Sequence, residues 1–188
     1  AIGNEGCGNY AVSDDGTLAY LAGGRTRRAT RLVWIDRAGK PELAPVPEHN
    51  YENVVISPDG TRAIVQINEG VTALWMYDIG RDTLTPIGNS AGSSQAPLWT
   101  TDGARVIYRG TRKGTRNLYW RSADGSGDEE RLTSKPDVVQ TPTSVSSDGR
   151  WLAFNEGGPQ VPGGTAIWVM RLEGDLAARP LFQAPAGE

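Results

Sequence analysis

The chain has 188 residues, a formal net charge of −3 and 38% hydrophobic residues, which together favour an ordered protein over a disordered one. Its mild acidity does not favour nucleic-acid binding, and no apolar run reaches the roughly 18 residues of a membrane-spanning helix. One cysteine and one histidine exclude an internal disulfide and the usual zinc and transition-metal sites, so we expect no cofactor.

One turn sequence recurs four times at a nearly constant spacing. The copies are Ser13–Gly16 (SDDG), Ser57–Gly60 (SPDG), Thr100–Gly103 (TTDG) and Ser146–Gly149 (SSDG), and their last glycines are 43 to 46 residues apart. A period of roughly 40 to 45 residues is typical of β-propeller blades with four strands each. The spacing therefore predicts an all-β propeller of four-stranded antiparallel blades, with four repeats present.

Short apolar runs surround each turn and predict the strands. Most runs have four to seven residues, are rich in Val, Ile, Leu, Trp and Tyr, and are bounded by Gly, Pro, Asn or Asp. No window keeps a helical period. In chain order the strands are predicted at 9–13, 17–22, 31–36 and 42–46, then within 51–86, then at 95–99, 105–109, 117–122 and 130–133, and finally at 140–145, 151–155, 166–171 and 179–183. We therefore predict one domain, 1–188, with blades at about 9–47, 51–88, 94–134 and 139–183.

The aspartate before each turn glycine has a structural interpretation. Its carboxylate can accept local backbone N–H groups, while the glycine takes the positive φ that a tight hairpin turn requires. The sequence thus predicts that the four equivalent aspartates stabilise turns and form no catalytic pair. They are Asp15, Asp59, Asp102 and Asp148.

The turn motif, followed by the third strands ALWMYD (73–78), NLYWRS (117–122) and AIWVMR (166–171), resembles the TolB-like, WD40-like β-propeller repeat. The resemblance covers about residues 9–183 and is strongest to propeller modules attached to bacterial serine/threonine kinases. It implies a docking platform, a sensor domain, or a gating domain as in prolyl-oligopeptidase-type and tricorn-type peptidases. It also favours a periplasmic or other extracytoplasmic location, although residue chemistry alone fits an intracellular one equally well.

The number of repeats departs from this family, whose propellers commonly have six or more blades. Three arrangements are open: a closed four-bladed ring, an open arc cut from a longer propeller, or an oligomer that shares blades. We favour the arc. Because an arc leaves two apolar blade faces exposed, it predicts self-association.

No motif in the sequence clearly indicates catalysis, nucleotide binding or metal binding. His49 has no Gly-x-Ser-x-Gly nucleophile near it and is expected to be a solvated loop residue. Gly6–Ala11 matches the dinucleotide fingerprint only formally, since neither a strand precedes it nor a helix follows it. The acidic stretch 124–130 lacks the alternating ligands of a calcium loop. We expect no catalytic residue, no metal site and no enzyme activity.

Two groups of residues are candidates for binding. Arg25, Arg27 and Arg28, with Arg31, form the main basic cluster, and Arg112, Lys113 and Arg116 could extend it on the same rim. This cluster could contact an anionic partner, although ordinary solvated loops are favoured over that function. Polar residues at the starts of the innermost strands should line the mouth of a central channel. They are Tyr51, Glu52, Gln95, Gln140 and Thr141.

The sequence therefore favours a non-enzymatic binding module, a sensor or docking part of a larger receptor or kinase-like protein. Its ligand would be a protein or small molecule, with neither nucleic acid nor membrane insertion. The alternative is a regulatory or gating propeller of a peptidase or kinase whose catalytic domain lies outside this chain. Intrinsic hydrolase activity has the least support, because His49 is the only histidine that could act as a base.

Overall fold

The structure is a computed structural model that describes residues 10–12, 18–22, 29–87, 92–159, 161 and 164–183. Within these ranges every regular element is a β-strand, so the predicted all-β class is confirmed. The strands are β1 (Tyr10–Val12), β2 (Leu18–Ala22), β3 (Arg31–Ile35), β4 (Pro41–Leu43), β5 (Tyr51–Ile56), β6 (Arg62–Asn68), β7 (Thr72–Asp78), β8 (Thr83–Pro86), β9 (Ser94–Trp99), β10 (Arg105–Arg112), β11 (Thr115–Ser122), β12 (Glu130–Arg131), β13 (Val139–Val145), β14 (Trp151–Gly157), β15 (Thr165–Arg171) and β16 (Ala178–Gln183). This part of the chain contains no helix long and apolar enough to cross a membrane.

The strands form four successive antiparallel meanders. The first meander is β1–β4, the second β5–β8, the third β9–β12 and the fourth β13–β16. The third and fourth join into one eight-stranded sheet through a short parallel pairing of β11 with β13, at Arg116 and Val139. No sheet built from the described strands closes on itself.

The residue contacts gather into two compact halves, Ala1–Pro86 and Ile87–Glu188. In the first half, Val65 and Tyr77 of the second meander form a buried cluster with Leu32 of the first. Burial of these apolar side chains between neighbouring meanders removes them from water, which is the main stabilising term of such a fold.

The second half has a core of the same kind. Ile107 and Leu118 of the third meander pack with Leu152, Phe154 and Met170 of the fourth, and all five side chains are fully buried. Strands β10 and β11 supply β-branched and aromatic residues to this core, as the sequence pattern predicts. The cluster fixes β10 against the fourth meander and so positions the candidate site described below.

The recurring turn has the predicted geometry in the three copies within the described residues. The Ser57 hydroxyl donates to Asp59 at 2.5 Å, Asp59 accepts the backbone N–H of Thr61 at 3.0 Å, and Gly60 has a φ of 70°. The turns at 100–103 and 146–149 repeat these bonds. The predicted structural role of Asp59, Asp102 and Asp148 is therefore confirmed, while Asp15 lies outside the described residues.

The hairpin of the third meander is shorter than predicted. The sequence indicates a loop from Gly110 to Thr115, but β10 and β11 extend until only Lys113 and Gly114 remain in the turn, with φ values of 50° and 83°. Gly110 lies within the strand, where a side chain would meet the Tyr119 ring at 2.6 Å. This glycine provides space for an aromatic ring and does not end the strand.

Candidate binding site

The innermost strand of each well-described meander carries one extra residue. In β5 the register against the neighbouring strand shifts between Tyr51 and Asn53, and in β13 it shifts between Pro142 and Ser144. In β9 the shift lies opposite Ile107 and Arg109 of β10. In β9 the irregular backbone includes Ala96, whose φ of 52° is rare for a residue with a side chain. Such β-bulges redirect the side chains beside them.

Arg109 lies at the centre of the candidate site in the second half. Its Nη2 donates to the Oε1 of Gln95 at 2.5 Å, and its Nη1 donates to the Oγ1 of Thr141 at 3.0 Å. Gln95 is on the innermost strand of the third meander and Thr141 on that of the fourth. The structure therefore brings together two of the predicted channel-mouth residues, through an arginine that the sequence analysis does not single out.

Arg109 has an unusual electrostatic environment. Its side chain is partly buried, and its Nε is fully buried without a hydrogen-bond acceptor in the described part of the chain. Burial, together with the positive charge of Arg116, lowers the pKa of the Arg109 guanidinium. No carboxylate pairs with it among the described residues. The group nonetheless stays charged, because an arginine does not lose its proton in proteins.

Arg112, three residues further along β10, has the opposite environment. Its Nε and Nη2 donate to the two carboxylate oxygens of Glu129 at 2.9 and 2.6 Å, and Tyr108 donates its hydroxyl to the same carboxylate. Although burial opposes ionisation, hydrogen bonds from Arg112 and Tyr108 hold the pKa of Glu129 below its ordinary value. This pair is a structural ion pair, so Arg112 does not contribute a free cation to the predicted basic rim.

Gln140 lies next to Thr141 but belongs to a buried polar network. Its Nε2 donates to Glu156 at 2.9 Å, and its Oε1 accepts from Asn117 at 3.2 Å and from Thr133. Gln140 and Glu156 are 3% and 2% exposed, and Asn117 is fully buried. With both ends of its amide bonded inside the protein, Gln140 supports the strand that presents Thr141.

Glu52, in the first half, also combines partial burial with a charge. Its two oxygens accept from the side-chain amides of Gln66 at 2.7 Å and Asn68 at 2.6 Å. No cation pairs with Glu52 among the described residues. Its position in the second meander corresponds to that of Gln95 in the third, eight residues before the last glycine of the turn.

Tyr51 and His49 are packed residues. The Tyr51 hydroxyl donates to the carbonyl of Pro47 at 2.8 Å, and burial, with the charge of Glu69, raises the pKa of Tyr51 to about 12. The prediction of a solvated His49 is wrong. Its Nδ1 lies 2.5 Å from a Glu69 oxygen, and its ring contacts Tyr51 and Trp75.

The predicted basic rim is divided by the structure. Arg25, Arg27 and Arg28 lie outside the described residues, and Arg31 pairs with Glu48. Lys113 and Arg116 are exposed at the hairpin of the third meander. Of the predicted cations that the structure describes, Arg116 therefore remains both accessible and close enough to Arg109 to affect it.

A second depression lies at the other end of the third and fourth meanders, between their recurring turns. It has a volume of about 520 Å³ and is lined by Asp102, Asp148 and Arg150, among others. The Arg105 guanidinium covers its wall by stacking on Trp120 at 3.9 Å from the ring centroid. Both aspartates are already bonded within their turns.

One sequence signal could have identified Arg109. It stands six residues after the last glycine of the turn, where the second and fourth copies have Gln66 and Asn155. The first copy has Ala22 there, so the third meander differs from the other three in having a charged residue at this position. Its bonding partner on β13 comes from the next meander, which a pattern within one copy cannot indicate.

No group of His, Cys, Asp and Glu among the described residues could hold a metal ion.

Solved structures of low sequence identity share this architecture. A protein assigned as TolB from Agrobacterium tumefaciens matches with a TM-score of 0.75 at 20% identity, over 93% of this chain and 64% of its own. TolB from Acinetobacter baumannii matches with a TM-score of 0.76 at 18% identity, over 93% of this chain and 43% of its own. The β-propeller domain of the Trilobed protease from Pyrococcus furiosus, described as having an open velcro topology, matches at 0.64 and 14% identity, over 93% of this chain and 56% of its own.

These matches give the chain a TolB-like β-propeller fold, as the sequence resemblance predicts. The chain spans less than two thirds of the length of the TolB chains that it matches. No protein-family profile and no curated protein matches the sequence itself.

Proposed function

We propose that this chain is a non-enzymatic binding module whose partner contacts the starts of the innermost strands. The observation that carries the proposal is Arg109, a partly buried cation held by Gln95 and Thr141 without a carboxylate partner among the described residues. A desolvated charge is costly unless it is compensated, so a protein that keeps one open gains when an anionic partner binds there.

We further propose that the module is part of a larger extracytoplasmic protein and serves as its sensor or docking part. The support is the similarity to TolB structures, of which this chain matches 64% and 43% of the length. Function cannot be taken from the fold, because propellers carry many unrelated functions. The proposal therefore rests on the site, and the similarity supports only its setting.

The direct test compares proteins captured by the immobilised chain from an extract of its source cells. Three versions are used: the unmodified chain, Arg109→Gln, and Arg150→Gln as a matched loss of an exposed arginine in the same half. We expect specific partners to be lost with Arg109→Gln and retained with Arg150→Gln. An identical captured set for all three, including an empty one, would contradict docking at this site. Loss with Arg150→Gln alone would instead favour the depression between the turns.

A second candidate function is a gating or regulatory propeller of a peptidase or kinase. The similarity to the β-propeller domain of the Trilobed protease favours this candidate. Sequencing the coding region on both sides of these residues separates the two functions. A hydrolase or kinase domain in the same reading frame would support gating, and its absence would support a docking module.

A further inference from the structure

We propose that Arg109 and Arg116 form a subsite for a carboxylate group of the partner protein. This inference rests on the proposed docking function and specifies its chemistry. Two features carry it: a guanidinium with unused donors that two strands hold in place, and a second accessible guanidinium on the same face of the sheet.

Arg109 has N–H donors that the described residues do not use. Each terminal nitrogen of a guanidinium carries two N–H groups, and the described residues accept one from each, through Gln95 and Thr141. One N–H on each terminal nitrogen therefore has no acceptor among the described residues. The donors of a guanidinium lie in one plane and match the two oxygens of a carboxylate, which is a usual partner of arginine in bidentate pairs.

Arg112 provides the contrast to Arg109. It lies on the same strand and receives a carboxylate from within the chain, namely Glu129, in a bidentate pair. Arg109 instead receives the neutral oxygens of an amide and a hydroxyl. These acceptors fix the direction of the guanidinium but leave its charge uncompensated.

Arg116 adds the second charge. Strands β10 and β11 pair Arg109 with Leu118 and Thr111 with Arg116, so Arg116 projects from the same face as Arg109. Arg116 is exposed and has no ion-pair partner in the described part of the chain. The two like charges repel one another, and a bound anion would relieve that repulsion.

The site is also held rigidly. Gln95 precedes the bulge of β9 at Ala96, and Thr141 follows Gln140, whose buried network with Glu156 and Asn117 anchors β13. Because Arg109 bridges these two strands, little side-chain freedom remains to be lost when a ligand binds. Preorganisation of this kind increases affinity without adding contacts.

The experiment follows the side-chain Nε–H signal of Arg109 by NMR, assigned from its absence in Arg109→Lys. The probes are acetyl-Gly-Gly-Gly-Gly with a free carboxyl terminus, acetyl-Gly-Gly-Asp-Gly-amide, the neutral acetyl-Gly-Gly-Asn-Gly-amide, and inorganic phosphate. We expect saturable shifts with one or both carboxylate peptides. The peptide that causes the larger shift shows whether the site prefers a carboxyl terminus or an acidic side chain.

The variants test each arginine separately. Arg109→Gln should weaken binding of the carboxylate peptide about tenfold or more, as loss of a charged hydrogen-bonded pair does. Arg116→Gln, an exposed change that leaves the core intact, should weaken it several-fold, and Arg150→Gln should not change it. Because Arg109→Gln removes the reporter signal, its affinity is measured by calorimetry.

Three results would overturn the assignment. They are equal shifts with the neutral peptide, a response to phosphate alone, and unchanged affinity in both Arg109→Gln and Arg116→Gln. Failure of the carboxylate proposal can be distinguished from failure of the proposed docking function. If carboxylates fail to bind while Arg109→Gln still loses captured partners, the docking site stands and the carboxylate chemistry is wrong.

Discussion

Arg109 and Arg112 lie three residues apart on one strand, yet only Arg112 has a counter-ion within the described residues. The difference decides which charge stabilises the fold and which is open to a ligand. A charge that the chain itself compensates contributes to folding, whereas one left open costs free energy until a partner arrives. The two residues therefore call for different experiments.

Glu129→Gln tests the compensated charge. The substitution keeps the shape of the side chain but leaves the partly buried Arg112 without its carboxylate, so we expect the free energy of unfolding to fall by about 2 to 3 kcal/mol. Urea unfolding at neutral pH measures the change. Glu173→Gln, at an exposed site, should stay within about 0.5 kcal/mol of the unmodified chain. Equal stability of the two variants would contradict the structural role of the Arg112–Glu129 pair.

The turn aspartates predict a pH dependence of stability. Hydrogen bonds from Ser57 and from the backbone of Thr61 lower the pKa of Asp59 from 3.8 to about 2. Because the folded state favours the ionised form, the resulting stabilisation is complete well above pH 3.8 and is lost as the pH falls towards 2.

Asp59→Asn should therefore be less stable than the unmodified chain at neutral pH, and the difference should shrink as the pH falls below about 4. Urea unfolding across this pH range measures it. Asp128→Asn, at an exposed aspartate with no hydrogen bond in the described structure, serves as the control. A difference for Asp59→Asn that stays constant with pH would show that its charge is not the source.

At the scale of the element, β10 and β11 are longer than their sequence indicates, and Gly110 lies within β10 beside the Tyr119 ring. The Tyr119 ring occupies the space where a side chain at position 110 would project. The strand pair continues to the two-residue turn at Lys113 and Gly114, and it carries Arg109 and Arg116 on one face.

Gly110→Ala tests this packing. The added carbon would meet the Tyr119 ring at 2.6 Å, so the ring must shift, and we expect a loss of about 1 to 3 kcal/mol in the free energy of unfolding. Gly80→Ala is the matched control, because its nearest neighbour would be an Asp78 carboxylate oxygen at 3.7 Å. Similar stability of the two variants would contradict the close approach.

The innermost strand β13 combines a structural and a binding residue side by side. Gln140→Met should reduce the free energy of unfolding by about 2 to 3 kcal/mol, since it leaves Glu156 and Asn117 with fewer partners in a buried network. Thr141→Val should change stability little but weaken carboxylate binding, because it removes an acceptor that orients Arg109. Urea unfolding measures the stability of both variants, and peptide titration measures their affinity for the carboxylate peptide. A large loss of stability in Thr141→Val would contradict it.

At the scale of the whole molecule, the sheets formed by the described strands do not close on themselves. The chain also covers only part of the TolB structures that it matches. A propeller blade without a neighbour presents an apolar face, and such faces favour association. Self-association of this chain therefore stays a prediction.

Light scattering on the purified chain tests this expectation. We expect a mass above the 20.2 kDa of one chain, rising with concentration. A mass of one chain at all concentrations would contradict self-association. It would favour a closed ring or an arc that tolerates its exposed faces. Peptide titration of Arg109 then needs a concentration at which one species dominates.

The sequence by itself determined the turns and the class of fold. Ser57, Asp59 and Gly60 act within a few residues of one another, so their hydrogen bonds and backbone angles follow from local chemistry that the sequence displays. The short apolar runs likewise indicate strands, because alternation along a strand is a local property. Both features recur along the chain, which made the propeller class predictable.

The tertiary structure alone decided the role of individual polar residues. Gln140 and Thr141 are neighbours with similar sequence surroundings, but one is buried in a network and the other holds Arg109. Their partners come from β10, β11 and β14, distant in sequence, and a one-residue change along a strand reverses the face on which a side chain lies. Local pattern therefore fixed where strands occur, whereas pairing between strands decided which charges are compensated and which remain open to a ligand.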